Sequence, residues 1–197
     1  MTHEAVYKTP FRNVIIPLHK GNIGISYSGG ADCAILLYAL VLNGVVPTTL
    51  FYVNTKEPVL LFKGLAFIDD EFGTDLVNRV KRIEMADRKG RYDLYRKIAG
   101  CDFLYTGVTQ NPSVKVSEWK FTPQRPHTAM VGRYEGLVTP FGTHDKRAPM
   151  YLYHYLDALP LLELTRTCPL PEDQEPCGKC FHCGERAWAE AEVKAVL

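Results

Sequence analysis

The stretch that most constrains the fold is a glycine turn between two apolar segments. Residues 22–27 form a short apolar run, residues 28–33 read Ser-Gly-Gly-Ala-Asp-Cys, and residues 34–42 form a long apolar run that ends before Asn43-Gly44. This order predicts a strand, a tight turn and a helix. Adjacent glycines let backbone N–H groups converge, and the dipole of the following helix favours negative charge at its start. The turn is suited to phosphate, although an ordinary strand-to-helix turn explains the pattern equally well by itself.

The rest of the chain alternates between strand and helix patterns. The predicted strands are 14–18, 22–27, 47–53, 76–85 and 102–108, and the predicted helices are 34–42, 59–72, 90–99, 144–156 and 185–196. Such alternation predicts an α/β fold with a parallel sheet. Ligands of these sheets bind beyond the carboxyl ends of the strands, where residues 28–33 would lie. Residues 109–135 predict a long irregular loop of the kind that is usually functional or mobile.

Composition limits the partners that we expect. The chain has 197 residues, 46% of them hydrophobic, with a formal net charge of +1, so no global field attracts nucleic acid or anionic lipid. The longest apolar run is far shorter than the roughly 20 residues of a membrane span, and the first residues carry no secretion signal. We therefore expect a soluble, cytoplasmic protein without membrane or nucleic-acid partners. The basic stretch 79–97 is interpreted as a solvated face.

Four of the six cysteines cluster near the end of the chain. Cys168, Cys177, Cys180 and Cys183 are separated by eight, two and two residues, a spacing that favours a closed, structural zinc site. An iron–sulfur cluster is the alternative, but the Cys-x3-Cys-Pro spacing of bacterial ferredoxins is missing. Cys101 is interpreted as a small buried residue.

The glycine turn resembles a known nucleotide-binding loop. Ser28-Gly29-Gly30-Ala31-Asp32-Cys33 is similar to the Ser-Gly-Gly-x-Asp-Ser loop of the N-type ATP pyrophosphatases, the PP-loop superfamily. Those enzymes cleave ATP between the α and β phosphates and attach AMP to an oxygen of the substrate. Cys33 stands where the family usually has serine.

Together, the loop and the cysteine tail resemble the 7-cyano-7-deazaguanine synthase family. That family ends in Thr-Cys…Cys-Gly-x-Cys-x-x-Cys…Arg, and residues 167–186 follow this pattern. Thr106-Gly107-Val108, Pro140 with Lys146, and Gly90-Arg91 match further elements. The family's Tyr-Gly-Gln and Tyr-Pro-Asp-Cys-Arg segments have no counterpart at Val53-Asn54-Thr55 and residues 111–115. The resemblance spans about residues 22–190.

The resemblance implies an adenine nucleotide α-hydrolase-like fold and an ATP-dependent ligase. Its sheet of about five parallel strands would be flanked by helices, with an ATP pyrophosphatase-type domain at 1–160, including an N-terminal arm at 1–21. Residues 161–197 would form a zinc-binding tail and a last helix. The substrates would be ATP, 7-carboxy-7-deazaguanine and ammonia, with Mg²⁺ on the phosphates, and a homodimer is left open.

The resemblance also implies roles for individual residues. The residues expected at the nucleotide are Ser28, Gly29, Gly30, Ala31, Asp32, Cys33, Arg91 and Gly107. Asp32 would fix the loop or bind Mg²⁺, with an ordinary first-turn carboxylate as the alternative. Lys146 and Arg91 would stabilise charge on the phosphates, with a solvated lysine as the alternative for Lys146.

Three other functions stay open at this stage. The activated carboxyl could be joined to a different amine. A sulfur transferase acting on a nucleobase could carry persulfide on Cys33 or Cys101. A zinc-stabilised nucleic-acid-binding module could use the basic stretch.

Overall fold

The structure is a computed structural model that describes residues 3–52, 59–82, 100–118, 135–169 and 175–197. The strands are β1 (His3–Tyr7), β2 (Val14–Leu18), β3 (Ile23–Ser26), β4 (Thr49–Tyr52), β5 (Val80–Arg82), β6 (Phe103–Thr106) and β7 (Leu137–Val138). The helices are α1 (Ala31–Leu42), α2 (Val59–Phe72), α3 (Arg147–Tyr155), α4 (Leu159–Glu163) and α5 (Phe181–Lys194).

Five of the strands form one parallel sheet in the order β5-β4-β3-β6-β7. After β3 the chain adds β4 and then β5 on one side of it. The chain then crosses back and adds β6 and β7 on the other side. This reversal makes the gap between the carboxyl ends of β3 and β6 the topological switch point, where α/β sheets bind their ligands. The prediction of a five-stranded parallel sheet with flanking helices is confirmed.

Helix α1 is the centre of the core. Ten of its residues are buried, from Ala31 to Val41, and it packs against α2, α3 and α4. A helix covered on all sides needs apolar residues around its whole circumference, which explains the unbroken apolar run of residues 34–42. Burial of this helix fixes the position of the glycine turn that precedes it.

The N-terminal segment, for which the sequence predicted an extra strand or an ordered arm, is a hairpin of two strands. β1 and β2 pair antiparallel outside the parallel sheet, with Ala5 opposite Ile16. Tyr7, Val14 and Ile16 are buried on one face of the hairpin. The alternation in His3–Tyr7 is too short to be recognised before its partner strand is known.

Several predicted boundaries differ from the structure; helix α1, for example, begins at Ala31, three residues before the predicted start. The strand expected at 76–85 is a 3-10 turn at Val77–Arg79 followed by β5, because the Asp69 carboxylate accepts two backbone N–H groups there and holds a turn. Helix α3 begins at Arg147, three residues after the predicted start. Helix α5 begins at Phe181, four residues early, because the Cys180 side chain caps it by accepting the N–H of Cys183.

The helix predicted at 90–99 lies outside the described residues, as do Val53-Asn54-Thr55 and most of the basic stretch. In the part of the chain that the structure describes, no helix is both long enough and apolar enough to span a membrane.

Candidate functional site

The glycine turn lies at the switch point, between the end of β3 and the start of α1. Gly29 has a positive φ of 71°, and a Cβ there would come within 3.1 Å of the Leu61 backbone, so both conformation and space require glycine. Gly30 is the N-cap of α1, and no side chain caps this helix. The first N–H groups of an α-helix have no partner within the helix. They are therefore available to an anion at this point.

A buried ion pair stands at the start of α1. Lys146 Nζ donates to Asp32 Oδ2 at 2.6 Å, and the two side chains are only 4% and 17% exposed. The interpretation of Lys146 as a solvated surface lysine is therefore wrong. The other carboxylate oxygen, Asp32 Oδ1, is buried without a hydrogen-bond partner. A buried, unsatisfied carboxylate oxygen is costly unless a cation or donor joins it, and it is an oxygen of the kind that Mg²⁺ prefers.

Gly107, directly after β6, packs against the start of α1. A Cβ on Gly107 would lie 2.7 Å from the Asp32 carbonyl carbon and the Cys33 nitrogen, so glycine is needed for close backbone approach. Three residues later, the N–H of Gln110 donates to the His144 carbonyl at 2.7 Å. This bond joins the segment after β6 to the segment that carries Lys146.

Cys33 closes the glycine turn with its thiol. The Cys33 Sγ–H donates to the Gly30 carbonyl at 3.0 Å, and the sulfur accepts the Ser28 N–H at 3.3 Å. The residue is buried, and desolvation raises the pKa of the thiol above its usual value. The side chain is therefore a neutral thiol that shapes the turn.

Two hydrogen bonds that the sequence did not indicate hold backbone carbonyls of the turn and of the start of α1. Tyr153 on α3 is fully buried and donates its hydroxyl to the Ala31 carbonyl at 2.7 Å. The N–H of Arg166, in the segment after α4, donates to the Gly29 carbonyl at 3.2 Å. Neither residue belongs to a local motif, so only the folded structure connects them to the turn.

The four predicted cysteine ligands lie together. The sulfur atoms of Cys168, Cys177, Cys180 and Cys183 are all within 4.8 Å of one another, and two of the pairs are separated by 3.8 and 3.9 Å. Four sulfurs bound at about 2.3 Å to one tetrahedral zinc would lie about 3.8 Å apart. The four sulfurs are therefore close enough together to hold a metal.

Backbone N–H groups surround these sulfurs. The N–H of Cys180 donates to Cys177 Sγ, and the N–H of Cys183 donates to Cys180 Sγ, both at 3.4 Å. Hydrogen bonds from the backbone of Lys179 and Cys180 lower the pKa of Cys177 to about 6. At Cys177 these donors favour the thiolate, which is the form that binds metal. At Cys180 and Cys183 burial acts in the opposite direction and raises the pKa, that of Cys183 to about 12.

The cysteine cluster and the glycine turn are connected through one short segment. Arg186 on α5 donates to the carbonyls of Thr165 and Leu162 at 3.1 and 3.2 Å. This clamp fixes the chain directly before Arg166, the residue that bonds to Gly29 and lies two positions before Cys168. A second contact brings Gly184 against the Val116 carbonyl, where any Cβ would overlap the oxygen. The two candidate sites are therefore parts of one packed region.

The structure thus brings together the predicted turn residues 28–33 with Gly107 and Lys146, and separately the four cysteines. Arg91 lies outside the described residues. Cys101 is buried beneath β3, where a Cβ on Gly24 would touch its sulfur.

Comparisons with known proteins give likenesses among solved structures. No family model matches the chain, and no curated protein matches it in sequence. Among solved structures, it is similar to the U34-tRNA thiolase NcsA from Methanococcus maripaludis with its [4Fe-4S] cluster, with 16% sequence identity and a TM-score of 0.41. The match covers 91% of this chain and 72% of the thiolase chain.

Proposed function

We propose that the chain is an ATP-dependent, AMP-forming enzyme of the PP-loop type. The observation that carries the proposal is the buried Lys146–Asp32 pair at the uncapped start of α1, directly behind the Ser28-Gly29-Gly30 turn. A cation, a carboxylate and free backbone N–H groups converge on the switch point of the sheet. This is a donor set for a polyphosphate with its metal ion, and the resemblance of the turn to the pyrophosphatase loop supports the same conclusion.

Each residue has a defined task in this proposal. The N–H groups of the turn and the Ser28 hydroxyl hold the β and γ phosphates as the pyrophosphate leaves. Lys146 carries three N–H donors, of which Asp32 takes one, so the others can bind phosphate oxygens as charge develops. Asp32 Oδ1 is the oxygen that would bind Mg²⁺, and a bound Mg²⁺ would neutralise charge on the phosphates.

The acceptor that we propose is 7-carboxy-7-deazaguanine. A carboxylate does not react with ammonia at neutral pH because its leaving group would be oxide. Adenylation makes AMP the leaving group, and ammonia then forms the amide. A second ATP activates the amide oxygen, and loss of AMP gives the nitrile. The support for this acceptor is the sequence resemblance, which is strongest in the cysteine tail and at Thr106-Gly107-Val108 and Lys146.

For the cysteine cluster we propose one structural zinc ion. Four thiolates fill a tetrahedral site and leave no open position for a substrate. The sulfur distances of 3.8 and 3.9 Å favour a single ion over a cluster. Metal analysis of purified protein should find about one zinc per chain, and iron or visible absorption would contradict the assignment.

The experiment that tests the function is incubation with ATP, Mg²⁺, ammonium and 7-carboxy-7-deazaguanine, followed by mass spectrometry of the products. Nitrile together with AMP and pyrophosphate is the expected result. AMP and pyrophosphate without nitrile would support the adenylating activity but show that the acceptor is a different compound or that a different amine is used. If neither AMP nor pyrophosphate forms with any carboxylate tested, the proposal is wrong and the zinc-stabilised binding module takes its place.

A sulfur transferase finds less support in the site. Persulfide chemistry needs an accessible thiol that readily ionises. Cys33 is buried, donates its proton to Gly30, and has a raised pKa.

A further inference from the structure

A cleft lies between the N-terminal hairpin and the edge of the parallel sheet, apart from the glycine turn. Its volume is about 560 Å³, which is in the range of small-molecule sites. It is lined by Arg12, Asn13, Ile15, Pro17, His19, Phe103, Glu135, Gly136, Leu137, Val138, Thr139, Pro140, Thr143 and His144. No residue of the glycine turn and no cysteine belongs to this lining. The hairpin wall also lies outside the part of the chain that carries the family resemblance.

Hydrogen bonds near both ends of β2 hold the hairpin in place beside the sheet, and the gap between them stays open. At one end, the His144 ring hydrogen-bonds through Nε2 to the Asn13 carbonyl at 3.1 Å. At the other end, the Tyr105 hydroxyl donates to the Pro17 carbonyl at 2.5 Å. Among the described residues, β2 pairs only with β1 and β7 only with β6. The two strand edges therefore border a space that neither of them fills.

One end of the cleft is an aromatic platform with a fixed acceptor. The His19 ring stacks on Phe103 at 3.8 Å with 17° between the planes. Tyr105 gives its only hydroxyl proton to Pro17, so it accepts from His19 Nδ1–H at 2.8 Å. This tautomer leaves His19 Nε2 as a hydrogen-bond acceptor. Desolvation lowers the pKa of His19, which keeps the ring neutral.

The charges are separated along the cleft. Glu135 precedes β7, near the aromatic end, and its carboxylate can accept hydrogen bonds. Arg12 lies at the other end, close enough to His144 to help lower its pKa after the larger effect of burial. A matching ligand has N–H donors on a flat ring at one end and an anion at the other.

We propose that this cleft binds a mononucleotide-sized ligand, a purine-type ring with a donor-rich edge joined to an anionic group. The ring lies between the apolar walls of the cleft with its N–H groups edge-on to His19 Nε2 and Glu135, and its anion meets Arg12. A guanine edge, with adjacent ring and exocyclic N–H groups, satisfies two acceptors, whereas an adenine edge offers one amino group. The site is independent of the proposed adenylation at the glycine turn.

The test is titration calorimetry with GMP, AMP, guanosine and ribose 5-phosphate on the full chain. GMP should bind most tightly, and each of the others should bind about tenfold more weakly, because each lacks one part of the match. Equal binding of GMP and ribose 5-phosphate, or no binding of GMP, would overturn the proposal.

Two pairs of variants locate the binding. Ile15→Trp fills the cleft from an exposed position and should weaken GMP binding at least about tenfold. Val6→Trp is the control, because Val6 is the cross-strand neighbour of Ile15, is similarly exposed at 53% against 45%, and does not line the cleft. Arg12→Glu should likewise weaken GMP binding, and Lys8→Glu on the same hairpin should not. Unchanged binding in both Ile15→Trp and Arg12→Glu, with thermal unfolding like that of their controls, would place GMP elsewhere and overturn the proposal.

Discussion

In both the glycine turn and the cysteine cluster, polar groups meet at one point, but the two regions are assembled in different ways. The cluster takes all four of its sulfur atoms from residues 168–183. The turn takes its environment from distant parts of the chain, including Gly107, Lys146 and Arg166. One site is built from side chains close in sequence, and the other from backbone groups and an ion pair whose members are distant in sequence and meet only in the folded chain. The first should lose its metal when one thiol is removed, and the second should lose function when its ion pair is removed or when packing around the turn is disturbed.

The largest effect is expected from Cys180→Ser. Cys180 is completely buried, belongs to the cysteine cluster and caps α5. Metal binding to such a site supplies folding free energy, about 10–16 kcal/mol in zinc-finger peptides. We expect loss of soluble, metal-containing protein, measured by expression yield and metal analysis. Cys101→Ser, at a buried cysteine outside the cluster, is the control and should keep its metal. A folded, metal-bound but inactive Cys180→Ser protein would contradict the structural role.

The second-largest effect is expected from Lys146→Ala. Removing the lysine leaves the Asp32 carboxylate without its cation in a buried position, which typically costs about 3–5 kcal/mol of stability. Adenylation should fall about a hundredfold or more. The exposed Lys115→Ala, which breaks only a surface ion pair with Glu118, is the control and should change the free energy of unfolding by less than about 1 kcal/mol.

A double variant separates the two effects of Lys146. Lys146→Met with Asp32→Leu removes both charges and keeps apolar volume, so much of the lost stability should return. Activity should not return, because no cation or carboxylate remains at the phosphates. Recovery of adenylation in the double variant would show that the ion pair serves only the fold.

A smaller effect is expected from Gly107→Ala, which tests packing at the turn directly. The added Cβ would press on the backbone of Asp32 and Cys33, and overpacking of this kind costs about 1–3 kcal/mol. The start of α1 must shift, so ATP affinity should fall more than stability does, as calorimetry with ATP can measure. Gly44→Ala has open space around its Cβ and only backbone strain from its positive φ, so it should leave ATP affinity unchanged. Equal ATP affinity in both variants would show that the turn tolerates movement.

The same contrast explains what the sequence could predict. The cysteine cluster, the long helix α1 and the parallel sheet follow from local spacing and periodicity, and the structure agrees with all three. The contacts of Tyr153 and Arg166 with the turn join residues more than a hundred positions apart, and no local pattern marks them. The early start of α5 was missed because a cysteine is not a usual N-cap, and the cleft beside the hairpin depends on a strand that only pairing reveals.

The smallest effect is expected from Cys33→Ser, where the turn departs from the family pattern. The thiol donates to Gly30 and accepts from Ser28, and a serine hydroxyl can make both hydrogen bonds with stronger donation. Activity should therefore stay within about threefold of the parent or rise.

The pKa of Cys33 provides an independent check of that expectation. Burial raises it, so the thiolate fraction at neutral pH is smaller than for an ordinary cysteine and grows only as the pH rises above the usual thiol range. Alkylation of the native protein at pH 7 should therefore be slow at Cys33 and should accelerate at higher pH, as peptide mass mapping can follow. If Cys33→Ser abolishes turnover while ATP still binds, or if Cys33 is alkylated rapidly at pH 7, the thiol takes part in the chemistry. A sulfur transferase would then replace the ligase as the better explanation of the site.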